Sequence, residues 1–208
     1  MTPALPRPRS ARYRHPHDDA TITAWALAAR HGDPAAVERF VRATRPDVLR
    51  YVAHLSGEPQ AADDLTQDTY LRALRGLHRF EARSSARTWL LAIARRTVAD
   101  RFRTAAARPR LVATDDWQAT AERVQDCDAP GFDEGLALAE LLETLPAERR
   151  DAFVLTTMLG LPYEEAAVVT GCPIGTVRSR VSRARTTLIG LLAAAERGTD
   201  APLVACAA

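Results

Sequence analysis

LPYEEAAVVTGCPIGTVRSRVSRARTTLIGLL, residues 161–192, is the stretch that decides the fold. It reads as two helices joined by a tight turn. Pro162 suits a first helical turn, where its missing N–H is not needed. Glu164 and Glu165 sit where the helix dipole favours acids. Ala166, Ala167 and Val169 make a small apolar helix. Gly171 stops it, because glycine takes a left-handed conformation without a Cβ clash. Pro173 restarts the chain as a first-turn residue. Val177, Val181, Ala184, Leu188 and Leu191 then recur at i, i+4, i+7, i+11 and i+14, one continuous apolar stripe. Ser179, Ser182, Arg183 and Thr186 point away from the stripe, and Thr176, Arg178, Arg180 and Arg185 flank it. From Gly175 to Arg185 there are four arginines and no acid. A short packed helix, a glycine turn and a helix with basic and hydroxyl groups outward is the helix-turn-helix pattern. Arginine pairs bidentately with guanine edges or phosphates, and serine and threonine bond to either. The competing reading is a helical hairpin with a solvated charged face, but such a face mixes signs.

The run GCPIGTVRSRVSRAR, preceded by LPYEEAA, resembles region four of the extracytoplasmic-function (group four) bacterial sigma factors. In that family this motif reads the minus-thirty-five promoter element. The resemblance implies that role for Thr176, Arg178, Ser179, Arg180 and Arg183.

Composition bounds the rest. The chain has 208 residues, 47% of them hydrophobic, enough for one or two small domains. Glycine is scarce, alanine is plentiful and no long stretch alternates in a strand period, so the class is all-α. The net charge of +2 hides a segregated pattern. All 28 basic residues are arginine; residues 83–103 carry six of them against Asp100 alone, and residues 111–148 carry ten acids against Arg123 alone. Basic faces for an anionic partner, joined by an acidic segment, are expected. Cys127, Cys172 and Cys206 are too far apart for a disulfide framework or a zinc site, which fits a reducing cytoplasm. No run of about 18 apolar residues is present, so no membrane span is expected. The arginine-containing N-terminus lacks an apolar core and does not read as a secretory signal.

The expected organisation is a disordered basic arm over 1–19, a helical domain over 20–104, a linker over 105–132, a second helical domain over 133–195 and a tail over 196–208. In the first domain a helix from about Ala20 to Arg30 buries Ile22 and Trp25. A second, Ala35 to Leu55, turns Val37, Phe40, Val41, Val48, Tyr51, Val52 and Leu55 inward, with a kink or break at Pro46. A third, residues 60–80, uses Leu65, Tyr70 or Thr69, Leu74 and Leu77 for its apolar side. Asp64, Gln67, Asp68 and Leu71 share its other face. Asp63 and Asp64 could pair for metal or acid–base work, but no further ligand completes such a site. A fourth, ARTWLLAIARRTVADRFR, faces Leu90, Ile93, Ala94 and Thr97 inward and sets Thr88, Arg95, Arg96, Asp100 and Arg103 opposite. In the second domain Phe132, Leu136, Leu138, Leu141, Leu142 and Leu145 pack one helix. Another begins at Leu145-Pro146-Ala147-Glu148, with Phe153, Val154, Leu155, Met158 and Leu159 as its apolar residues.

Three more strings carry the resemblance. ADDLTQDTYLRA is similar to region two-point-two of the same family, with Asp68 for the usual glutamate and Tyr70 for the usual phenylalanine. It implies that Asp64, Leu65, Gln67, Asp68 and Leu71 bind core RNA polymerase. The Thr-Trp-Leu-x-x-Ile-Ala-Arg string resembles regions two-point-three and two-point-four. It implies that Phe80, Arg83, Ser84, Ser85, Thr88, Trp89, Arg95, Arg96 and Arg103 capture and melt the minus-ten element. The physics agrees: cations for phosphates, hydroxyls for base edges and aromatic faces for stacking offset the cost of unstacking. Phe80 and Trp89 could equally be core residues. LPAERRDAFVL is similar to the family's lead into its helix-turn-helix.

The expected function is a transcription initiation factor that binds core RNA polymerase and promoter DNA, with no chemistry or cofactor of its own. The alternative is an ordinary helix-turn-helix regulator acting on duplex DNA without polymerase. An enzyme or metal protein would need clustered ligands. The five histidines (His15, His17, His31, His54 and His78) show no ligand spacing beyond His15-x-His17. The family also implies an anti-sigma partner, which nothing in the sequence names.

Overall fold

The computed structural model describes residues 15–107, 138 and 140–199. Residues 1–14 of the expected arm, most of the linker, Phe132, Leu136 and the end of the tail lie outside these. The last residues of the arm are not disordered, since His15 Nε2 bonds to the Ala43 carbonyl at 2.9 Å and Asp18 and Asp19 open the first helix. Among the described residues there is helix and no strand.

Helix α1 (Asp19–Arg30) starts on Asp18, whose carboxylate accepts the Thr21 N–H at 2.6 Å; hydrogen bonding from the Thr21 side chain first, and then from its N–H, lowers the Asp18 pKa. Helix α2 (Pro34–Ser56) is capped by Asp33, which accepts from the N–H groups of Ala35 and Ala36. It ends on Gly57 at φ +67°, the left-handed position that favours glycine. The break expected at Pro46 is absent. Pro46 is exposed, so water can serve the carbonyl it leaves unbonded. The buried residues around it, Thr44, Asp47 and Val48, hold both halves in line.

A 3-10 turn (Pro59–Ala61) leads into α3 (Ala62–Gly76), and a second (Leu77–Arg79) follows it. Leu74 lies 38% exposed rather than in the core, where Thr69 and Tyr70 sit instead. Thr69 returns its hydroxyl to the Leu65 carbonyl at 2.7 Å, and the hydroxyls of Tyr70 and Thr44 bond at 2.7 Å. Both polar groups are thus satisfied inside the bundle. Helix α4 (Ala86–Ala107) closes this first domain around Ile22, Phe40, Val48, Tyr51, Leu65 and Leu90.

In the second domain residues 140–143 are helical and Leu142 is buried, while Leu138 is exposed, contrary to the packing expected of it. Helix α5 (Ala147–Phe153) widens into a π turn (Val154–Met158), closed by the Leu159 N–H on the Val154 carbonyl at 2.9 Å. Helix α6 (Tyr163–Thr170) ends on Gly171 at φ +67°, and α7 (Ile174–Thr199) follows. Val177, Val181, Ala184 and Leu188 bury the stripe read from the sequence, against α5 and α6.

The two domains touch. Helix α4 lies against α6, and α2 reaches α5. Tyr51 donates from its hydroxyl to Asp151 at 2.6 Å, and Arg95 Nε donates to the same carboxylate at 2.9 Å. Beside this pair runs a cleft of about 300 Å³ lined by Leu55, Val98, Phe102 and Glu148, so the junction is not filled to core density.

Candidate nucleic-acid and polymerase interface

Helix α3 presents one exposed face. Asp64, Gln67, Asp68 and Leu71 are all accessible along it, and Leu71 is 47% exposed. Leu65 does not belong to that face: it is 2% exposed and packs in the core, one helical position out of phase with its expected role. Asp63 pairs with Arg45 at 2.9 Å. Among the described residues no group of three or more His, Cys, Asp or Glu side chains could hold a metal ion.

The loop from Phe80 to Ser85 is fixed at its start. The Phe80 carbonyl accepts from Arg30 Nη1 at 2.9 Å. The Phe80 ring is buried and meets the half-buried Trp89 ring at a 5.0 Å centroid distance. Phe80 is therefore a core residue, and Trp89 keeps part of its surface accessible. Ala82 holds φ +54°, a left-handed backbone that costs an alanine about 1–2 kcal/mol and is retained by the loop around it. Arg83 is exposed and pairs with Glu81 at 2.6 Å. Ser84 and Ser85 are partly exposed, and the Ser85 hydroxyl oxygen accepts the Thr88 N–H at 3.2 Å.

Thr88 departs from its expected exposure: it is buried. The reason is that α4 is covered on two sides. Its apolar side packs on the first domain, and the other side meets the second domain. Thr88 and Ser85 both donate to one oxygen of Glu165 on α6, the serine at 3.1 Å. Arg95 is spoken for by Asp151. Partial burial alone would lower the Arg95 pKa, but the hydrogen bond and charge of Asp151 reverse this and the net shift is upward. Arg96 and Arg103 are exposed, and Arg103 bonds to Asp100 within its own helix.

Arg87 gave no sequence signal, yet it is the buried cation of the domain. Its Nε donates to Asp47 at 2.6 Å, and its Nη2 donates to the Leu159 carbonyl of the second domain. Asp19 lies 3.9 Å from its Nη1. Burial raises the Asp19 pKa, Arg87 opposes the rise, and the nearby Glu165 charge adds to it.

Helix α7 differs. Arg178, Ser179 and Arg183 are exposed on one side, while Thr176 and Arg180 are partly covered. The Arg178 guanidinium lies 5.9 Å from the Tyr163 ring centroid, a cation–π contact that fixes its direction. Arg180 donates to Cys172 Sγ at 3.5 Å. Among the described residues no acid pairs with Arg178, Arg180, Arg183 or Arg185. No helix among them is long and apolar enough to cross a membrane.

A helical domain with an acidic-amide face and an arginine-rich helix, followed by a helix-turn-helix with a bare cationic face, defines a two-module promoter-recognition protein. Two family models match accordingly, Sigma-70 region 2 over residues 40–108 and Sigma-70, region 4 over residues 135–188. The chain is 49% identical to the ECF RNA polymerase sigma factor SigC of Mycobacterium tuberculosis, over 83% of this chain and 91% of the relative. It is 35% identical to the ECF RNA polymerase sigma factor EcfG of Rhodopseudomonas palustris, over 73% and 82%. Among solved structures it resembles CnrH in complex with the cytosolic domain of CnrY, with a TM-score of 0.64, 26% identity and 84% and 98% of the two chains covered. It also resembles the sigma factor RpoE in complex with the anti-sigma factor NepR from Bartonella quintana, with a TM-score of 0.57, 30% identity and 74% and 95% covered. The chain belongs to the extracytoplasmic-function group of the sigma-70 family.

Proposed function

We propose that this protein is a transcription initiation factor that binds core RNA polymerase, directs it to a set of promoters and assists strand opening. The observation that carries this reading is the presence of a region 2 module and a region 4 helix-turn-helix in one chain and in that order. An ordinary duplex-binding regulator needs only the second. The exposed face of α3, with Asp64, Gln67, Asp68 and Leu71, suits a mixed-polarity contact with core polymerase. Ser84, Ser85, Thr88, Trp89, Arg95, Arg96 and Arg103 supply hydroxyls, an aromatic surface and cations to an unstacked minus-ten strand. Arg178, Ser179 and Arg183 reach a major groove at the minus-thirty-five element, with Thr176 and Arg180 beside them. Phosphate contacts give affinity and salt sensitivity, and base contacts give choice. The protein acts through binding, without catalysis, in the cytoplasm where polymerase works. An anti-sigma factor is a fitting further partner, since the RpoE relative is seen bound to one.

The test is transcription with purified core polymerase and a library of genomic promoter fragments, with and without this protein. Protein-dependent transcripts sharing a pair of upstream elements are expected. No transcript and no complex with core, but firm binding to duplex alone, would sink the reading.

A further inference from the structure

The loop that leads into α4 is anchored at both ends. At its start the Phe80 ring is buried, the Phe80 N–H donates to the Leu77 carbonyl at 2.9 Å, and the Phe80 carbonyl accepts from Arg30. At its far end the Ala86 N–H donates to Thr23 Oγ1 at 3.0 Å, and the Ser85 carbonyl receives the Trp89 N–H at 3.0 Å. Four residues, Glu81 to Ser84, span the gap. Within it Ala82 holds φ +54°, whereas every other positive φ among the described residues falls on a glycine. Ala82 is exposed, so packing of its methyl group does not set this conformation. The anchors on either side do. Backbone strain of this kind persists only where the surroundings over-determine it, and it gathers at ligand clamps.

We infer that Ala82 is a positioning residue of the strand-capturing loop: its left-handed backbone sets where Arg83 and Ser84 meet an unstacked base. This rests on the reading of the chain as a sigma factor, and it assigns part of the choice of base to the hand of one backbone position. Ala82 itself need touch no base. The chain bends at Arg83 and Ser84 immediately after it, with Arg83 paired to Glu81 at 2.6 Å and the Ser84 hydroxyl turned to the Ser85 carbonyl at 3.4 Å. A loop whose residue 82 slipped to an extended or right-handed backbone would keep the same groups and offer them from other places. Phosphate attraction tolerates such a shift. Hydrogen bonds to one base edge do not. The hand of Ala82 therefore bears on choice of promoter more than on affinity.

The experiment uses the full chain with core polymerase on a promoter it transcribes, randomised across the minus-ten element, and reads the ratio of transcripts from the preferred base to the next. Three variants separate hand from side chain. Asparagine takes the left-handed region readily, valine is an outlier there, and glycine takes it as freely as any other. Ala82→Val should lower the ratio about tenfold at the position the loop reads, the worth of a misaligned base contact. Ala82→Asn should keep the wild-type ratio. Ala82→Gly should lower it about threefold, because the loop is no longer confined. The same glycine relieves the strain, so its unfolding midpoint should hold or rise while its discrimination falls, a combination that damage to the fold does not produce. Hydrogen exchange across residues 84–92 should match wild type in all three. Wild-type ratios in Ala82→Val would overturn the inference, and so would a loss in Ala82→Asn as large as in Ala82→Val. Equal losses at every promoter sequence with faster exchange across 84–92 would overturn it too, since they mark a fold defect alone. Transcription by the wild type with unchanged ratios in the variants refutes the role of Ala82 only. No core-dependent transcription by the wild type would refute the sigma reading, and this inference with it.

Discussion

Helices α4 and α7 are both rich in arginine, but α4 pairs all of its arginines except the exposed Arg96 with acids, whereas α7 leaves its described ones without an acid. On α4, Arg87 is bound to Asp47, Arg95 to Asp151 and Arg103 to Asp100, and Arg101 lies 3.6 Å from Glu58. On α7, Arg178, Arg180, Arg183 and Arg185 face no acid among the described residues, and the first turn carries none. The same residue type therefore means different things in the two places. An arginine that already has a carboxylate must exchange it to reach a phosphate, and the exchange gains little. An unpartnered one gains the whole interaction and releases counterions as well. Affinity for duplex should come from α7, and α4 should contribute where its acids have been displaced.

The largest expected effect follows directly. Arg178→Ala and Arg183→Ala should each cost about 1–3 kcal/mol of promoter affinity, roughly 5- to 150-fold, measured on the holoenzyme with a promoter it transcribes. Arg103→Ala should cost less, because Asp100 already holds that side chain. Equal losses at the two helices would break the comparison.

Next is the bond that joins α2 to α5. Tyr51 is fully buried, and burial first, then the Asp151 charge and hydrogen bond, push its pKa far up, so the hydroxyl stays a donor at any ordinary pH. Tyr51→Phe removes the donor and leaves Asp151 to Arg95 alone. A loss of about 1.5–3 kcal/mol is expected in chemical unfolding, in the range for a hydrogen bond to a charged group. An unchanged midpoint would mean that Asp151 does not rest on the first domain in solution.

A smaller effect sharpens the α7 side. Tyr163→Leu keeps an apolar side chain but removes the ring beneath Arg178, which should cost about 0.5–1 kcal/mol of promoter affinity. In an Arg178→Ala background the same change should cost nothing further. A full additive loss there would show that Tyr163 acts by some route other than Arg178.

How much of this was legible in the sequence divides along the same line. The α7 stripe, its stop at Gly171 and its outward arginines could be read because each depends on neighbours within a few turns. The α3 face was legible for the same reason, apart from Leu65, which lies one position off it. What the sequence concealed was pairing over distance. Arg87 finds Asp47 forty residues away, and Thr88 and Arg95 find Glu165 and Asp151 in another domain. Helix α4 has one apolar side by pattern, but the second domain covers the other, so Thr88 was set outward and lies inside. Phe80 was open to two readings, stacking platform or core, and the core took it. Pro46 was read as a break because proline lacks a donor, a local rule that burial on both sides of it overrides.

The smallest effect links the two domains to pH. His54 sits half-buried on α2, and its pKa is lowered by burial first and then by the charges of Arg50 and Arg150. A histidine with a depressed native pKa binds its proton more readily once the structure opens or unfolds. The contribution to stability is therefore intact above the ordinary value of about 6.5 and declines as pH falls from there through the native pKa. Arg150 belongs to the second domain, so part of the depression exists only while the domains are together. Acidification below about pH 6.5 should thus loosen the closed arrangement before it unfolds either domain. The check is the unfolding midpoint and the exchange rate across residues 84–92, followed from pH 8 downward in wild type and His54→Gln. The wild type should lose stability through this window and the variant should lose less. Parallel curves would place the pH dependence elsewhere, and a steeper decline in the variant would reverse the sign argued here.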